Sequence, residues 1–202
     1  SDVCSSDLAY YFLRNESLAG KTPGPDLEDD ERERLSDFSA KTYGLRLGGP
    51  LVKNKLFFFA NAEIQRDATP QPFILDNYRG ETDPSTVANF VQETYGYDVG
   101  DFRNNEAFLN SDKILLKLDW NISQMHKLSI RHSYVNAENL EARASNPFSI
   151  NFLNGSEYFV SSTHSSALEV QSLFGPNVSN KLTLGATFVR DDRDPFGADF
   201  PT

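Results

Sequence analysis

Several segments of the chain alternate apolar and polar residues one for one. This alternation places every second side chain on the same face of a β-strand. In the clearest segment, residues 113–122, one face would carry Ile114, Leu116, Leu118, Trp120 and Ile122, and the other Lys113, Lys117, Asp119 and Asn121. The pattern therefore predicts an all-β protein whose strands each have one apolar face.

We predict six or seven such strands, at about residues 9–14, 40–49, 56–66, 112–122, 127–136, 159–174 and 181–190. Short turns follow the second, fourth and sixth strands, and long polar loops follow the others. One loop, residues 67–110, contains a predicted short helix from Ser85 to Tyr95 with Ser85 as its N-cap. Strands of roughly ten residues with alternating short and long connections are typical of an outer-membrane barrel, in which short turns are periplasmic and long loops extracellular. We expect an antiparallel up-and-down meander that forms part of a transmembrane β-barrel.

The two faces of the predicted strands differ in charge. A charge on the lipid face of such a barrel costs roughly 2 to 4 kcal/mol at the bilayer midplane. We therefore assign to lipid the face with Leu45, Leu47, Phe58, Ile64, Ile114, Leu116, Leu118, Trp120, Leu128, Ile130, Leu182, Leu184 and Phe188. The lumen would receive Arg46, Asn61, Glu63, Lys113, Lys117, Asp119, Arg131 and Glu169. His132 is the one ionisable residue expected on the lipid face; a soluble sheet with one solvated face is the alternative.

Composition narrows the possible partners. The net charge of -10 argues against nucleic acid, which would require a basic surface. The 16 phenylalanines and 8 tyrosines suit the aromatic girdles of a membrane barrel. Phe57, Phe58 and Phe59 fit such a girdle, although a buried strand of a sandwich would also explain them.

Signals of catalysis are weak. His126, His132 and His164 have no metal-ligand spacing, and neither a G-x-S-x-G motif nor a P-loop is present. The carboxylates in residues 191–195 fit a hydrated loop better than an acid and base pair. We predict no catalytic, cofactor or metal site and no enzyme. The charged run at residues 26–34 is expected to be a solvated loop, with a calcium or ligand site as the alternative.

The first eight residues, Ser1 to Leu8, resemble the translation of a short-read sequencing adapter. We therefore predict that residues 1–8 are an artefact, that the only cysteine, Cys4, is not native, and that residues 9–202 form one partial barrel.

Three segments carry a family resemblance. Residues 11–18 (YFLRNESL), 47–60 (LGGPLVKNKLFFFA) and 116–121 (LKLDWN) resemble the early barrel of TonB-dependent outer-membrane receptors, and most closely those of the Oar-like group. In that group a carboxypeptidase-regulatory-like domain precedes a plug and a barrel. The resemblance, which extends over everything after residue 8, implies a barrel of about 22 strands in a Gram-negative outer membrane.

The same resemblance implies energised uptake of an extracellular ligand. Its expected partners are outer-membrane lipid, an unidentified ligand and the TonB–ExbB–ExbD system, which would act through a plug and TonB box that these residues do not contain. Two alternatives stay open at this stage. One is a soluble or surface β-module that binds carbohydrate or protein; the other is a passive porin or adhesin barrel without a plug.

Overall fold

The computed structural model describes residues 6–21 and 36–197. The charged run at residues 26–34 lies outside the described residues, as does Cys4. Among the described residues, no helix combines the length and the apolar character needed to cross a membrane.

Seven antiparallel strands form one sheet in the order of the sequence. They are β1 (Ser6–Asn15), β2 (Ser39–Val52), β3 (Leu56–Pro72), β4 (Asn104–Asn121), β5 (His126–Glu141), β6 (Glu157–Leu173) and β7 (Ser179–Pro195). Each strand pairs with its neighbour in sequence, and β1 and β7 form the two edges. The predicted up-and-down meander is confirmed, and the architecture is that of a partial outer-membrane β-barrel.

Connections of two kinds alternate along the sheet. Residues 53–55, 122–125 and 174–178 close tight turns at one end, whereas residues 16–38, 73–103 and 142–156 connect strands at the other. In the first turn, Asn54 adopts a left-handed conformation (φ 60°), which asparagine tolerates better than most residues, and the Lys55 amide donates to the Val52 carbonyl at 3.0 Å. Below we call the two ends of the sheet the turn end and the loop end.

Several strands are longer than the alternation predicted. β3 continues from residue 66 to Pro72, β4 begins at Asn104 instead of residue 112, and β5 continues to Glu141. The predicted loop at residues 67–110 is therefore confined to residues 73–103. The prediction failed there because polar pairs, Asp112 with Asn136 and Asn110 with Glu138, interrupt the apolar rows, so backbone pairing persists where the regular alternation has ended.

The predicted helix is present as α1 (Pro84–Tyr95). Its N-cap is Asp83 instead of Ser85, because the Asp83 carboxylate accepts a hydrogen bond of 2.7 Å from the Ser85 amide. Gly96 ends the helix in the left-handed conformation (φ 67°). Short 3-10 turns occupy Glu16–Leu18, Leu75–Asn77 and Leu153–Gly155.

The register gives the sheet one apolar and one charged face, because residues directly opposite each other on paired strands point the same way. On one face, rows such as Phe58, Leu118, Ile130, Leu168 and Leu184 run across β3 to β7. We call this the apolar face. The adjacent row, Phe59, Lys117, Arg131, Ala167 and Gly185, belongs to the opposite face, which we call the charged face.

The apolar face is not covered by the described residues. Leu116, Leu184 and Phe188 expose 51%, 58% and 72% of their surface. The buried hydrophobic residues of the described part are instead Phe102, Leu140 and Ala142, at the loop end. Within residues 6–21 and 36–197, therefore, no second layer packs against the sheet, and the buried hydrophobic residues cluster where β5 meets the loops.

Candidate functional site

The charged face carries every residue that the sequence analysis assigned to the lumen. The register places these residues on one side of the sheet, and the residues assigned to lipid lie on the other. The structure thus brings each set together on one face.

One cluster on the charged face is centred on Glu63. Its carboxylate accepts hydrogen bonds from the Tyr10 hydroxyl at 2.6 Å and from Lys113 Nζ at 2.9 Å. Arg46 lies close by, two residues from Gly44 in β2, and its Nε is buried without a hydrogen-bond partner in the described part of the chain. The cluster thus combines an ion pair between β3 and β4 with a hydrogen bond from β1, an arrangement suited to a hydrated surface.

A second cluster lies nearer the turn end. Lys117 Nζ contacts Asp119 Oδ2 at 2.7 Å, while Glu169 accepts from Lys181 Nζ at 2.8 Å and from Gln171 Nε2 at 2.6 Å. Lys117, Asp119, Glu169 and Gln171 are among the residues that line a hollow of about 290 Å³. Charges of both signs alternate here, so the surface is hydrophilic without a strong net field.

The apolar face contains a polar patch that the sequence analysis recognised only in part. His132 was expected to be the one ionisable residue there, and this prediction is wrong. The register also places His164 on this face and, toward the loop end, Arg66 and Asp112, whose side chains form an ion pair of 2.7 Å. The His132 and His164 ring centroids are 5.7 Å apart, and His132 Nδ1 lies 2.8 Å from Ser166 Oγ. Asp7, from the first eight residues, also lies on this face, opposite Leu47.

A layer of ordered loops caps the loop end of the sheet. Asn105, which is fully buried, donates through Nδ2 to the carbonyl oxygens of Arg143 (3.0 Å) and Asn151 (2.7 Å). Ser145 Oγ accepts from the Asn151 amide at 3.0 Å and donates to the Phe102 carbonyl at 2.9 Å. Residues 142–156 are thereby fixed to the start of β4.

Backbone hydrogen bonds also join residues 142–156 to the preceding loop, residues 73–103. The Leu153 and Asn154 amides donate to the carbonyls of Asp101 and Val99, and the Arg79 amide donates to the Pro147 carbonyl. The Phe102 and Phe152 rings pack edge to face with centroids 5.6 Å apart. Sequence reasoning missed this packing, because it depends on contacts between segments far apart in the chain.

A cavity of about 630 Å³ opens between this loop layer and the ends of β5, β6 and β7. Its charged lining residues are Glu141, Arg143, Glu157, Arg193 and Asp194. We call it the loop cleft. No group of three His, Cys, Asp or Glu side chains that could hold a metal ion occurs in residues 6–21 and 36–197.

Comparison with known proteins gives one match. Residues 8–78, which span β1 to β3 and the start of the following loop, match the model of a family described as "Outer membrane beta barrel domain". No curated protein matches the chain, and no solved structure does so either. The family match and the up-and-down sheet together support an outer-membrane β-barrel protein.

Proposed function

We propose that these residues supply part of the wall and the extracellular loops of a TonB-dependent outer-membrane receptor, which imports a ligand with energy relayed from the inner membrane. The observation that supports this best is the division of the sheet into two faces. A continuous apolar face 51% to 72% exposed at Leu116, Leu184 and Phe188 suits hydrocarbon, and a face of paired charges suits a filled interior.

The arrangement of the loops supports the same proposal. Turns at one end are tight, whereas the loops of residues 73–103 and 142–156 at the other are long and held together through Asn105 and Ser145. Ordered loops held by a rigid wall are suited to capturing a ligand. In this proposal the loop end is extracellular, the turn end is periplasmic, and the charged face looks into a lumen that a plug occupies.

The alternatives differ from this proposal in physical terms. A soluble or surface β-module that binds carbohydrate or protein would bury its apolar face against a second layer, and the described residues provide none. A passive porin or adhesin barrel would share the wall but lack the plug. The short segments 47–60 and 116–121, which resemble TonB-dependent receptors, favour the receptor over the porin.

The decisive experiment uses the protein encoded by the uninterrupted gene, purified in detergent. A plugged receptor should show no persistent conductance in planar bilayers and should bind the periplasmic domain of TonB from the same organism in calorimetry. Removal of the plug by deletion should open a conducting pore and abolish TonB binding. A protein that conducts steadily in its intact form and does not bind TonB would be a porin, and the proposal would fail.

A further inference from the structure

The loop cleft has an unusual distribution of charge. Glu141 and Glu157 lie directly opposite each other on β5 and β6, an arrangement that is unfavourable for two like charges. Arg193 compensates only one of them, since its Nη1 contacts Glu157 Oε1 at 2.7 Å. Glu141 receives one hydrogen bond, of 3.2 Å, from Asn139 on its own strand. A cation at Glu141 would relieve the repulsion.

The guanidinium group of Arg143, which lines the same cleft, is available to bind an anion. The Arg143 side chain is exposed and forms no hydrogen bond or ion pair with any described residue. Its backbone, by contrast, is fixed, because the Arg143 carbonyl accepts from the buried Asn105 side chain at 3.0 Å. The backbone at Arg143 is therefore already ordered, which reduces the entropy lost when an anion binds.

The apolar surface of the cleft that a ligand could contact is mainly aliphatic. Phe152, the one aromatic residue among those that line the cleft, already packs edge to face against Phe102, with ring centroids 5.6 Å apart. Ile150 and Pro195 complete the apolar part. A neutral sugar would find its stacking surfaces engaged and would leave Glu141 and Arg143 without ionic partners.

We propose that the loop cleft binds a short peptide with free ends, whose ammonium group pairs with Glu141 and whose carboxylate pairs with Arg143. Its volume of about 630 Å³ is adequate for a few residues. The inference rests on the proposed function, because the cleft captures an imported ligand only if the loop end faces the outside of the cell. Glu157 and Arg193 would keep their mutual ion pair and form one wall of the cleft.

The test is calorimetric titration of the complete detergent-solubilised protein with trialanine, with N-acetyl-trialanine amide and with maltotriose. Trialanine should bind, and the blocked peptide, which lacks both charges, should bind about a hundredfold more weakly or not at all. Arg143→Met and Glu141→Gln should each weaken trialanine binding about tenfold, since each removes one charge-assisted contact. Lys53→Met, in a turn at the opposite end, should leave binding unchanged.

Three outcomes would overturn the inference. They are absence of trialanine binding, equal binding of the blocked peptide, and binding that survives both cleft substitutions. Binding of maltotriose that is lost in Arg143→Met would assign the cleft to carbohydrate instead. These results are independent of conductance and TonB binding: an intact protein that stays closed and binds TonB but not trialanine would refute the peptide site alone, whereas a conducting protein would refute the receptor proposal.

Discussion

The Tyr10 hydroxyl donates a hydrogen bond of 2.6 Å to Glu63 although a complete strand, β2, separates their own strands. The residue between them in the register is Gly44. A Cβ atom at this position would overlap the Tyr10 ring, so the absence of a side chain lets the ring lie over β2. Gly44 thus makes possible a contact that joins three strands.

We predict that Gly44→Ala destabilises the complete protein by about as much as Tyr10→Phe, roughly 1 to 3 kcal/mol, because both substitutions remove the hydrogen bond to the Glu63 carboxylate. The measurement is the temperature at which the folded band disappears in unheated electrophoresis. Gly185→Ala is the matched control, since the Cβ would approach no atom closer than the Ser166 carbonyl at 3.7 Å. Equal effects of the two glycine substitutions would refute the role of Gly44.

The two faces give a second prediction. Leu118→Arg and Leu184→Arg should each reduce the amount of folded protein in the outer membrane, because a charge placed against hydrocarbon costs about 2 to 4 kcal/mol near the midplane. Lys117→Leu and Thr183→Arg, at neighbouring positions on the charged face, should be milder. Heat-modifiable bands in outer-membrane fractions give the folded amount. If the charged-face variants were the more damaging, the faces would be reversed.

Asn105 carries a third prediction. Its replacement by alanine leaves the carbonyls of Arg143 and Asn151 without their donor, so residues 142–156 should open more often, by about one order of magnitude. Hydrogen exchange of this segment should rise, together with tryptic cleavage after Arg143. Asn104→Ala, at the exposed neighbouring position, should leave both unchanged. Hydrogen exchange within the sheet should be unchanged in either variant. An Asn105→Ala protein with unchanged exchange in this segment would contradict the prediction.

The sequence was sufficient for the order of the strands and for most of their faces, and insufficient for the strand ends and the loop contacts. The alternation in residues 113–122, interrupted only at Leu115, determined both the strand and its faces, because period-two burial is a local property. In β6 the signal is weak: Ser161, Ser162, Thr163, Ser165 and Ser166 surround His164, so its face became evident only from pairing with β5. The buried position of Asn105 could not be predicted either, since a polar side chain is buried only where distant carbonyls meet it.

The central claim is that the loop end lies outside the cell and the turn end in the periplasm. We test it with single cysteines introduced at Ser85 and Asn146 in the long loops and at Asn54 and Asn177 in the tight turns of the complete protein. On intact cells a membrane-impermeant thiol reagent should label the first pair only, and the second pair should react once the outer membrane is opened. Labelling of Asn54→Cys on intact cells, with Asn146→Cys protected, would contradict the account.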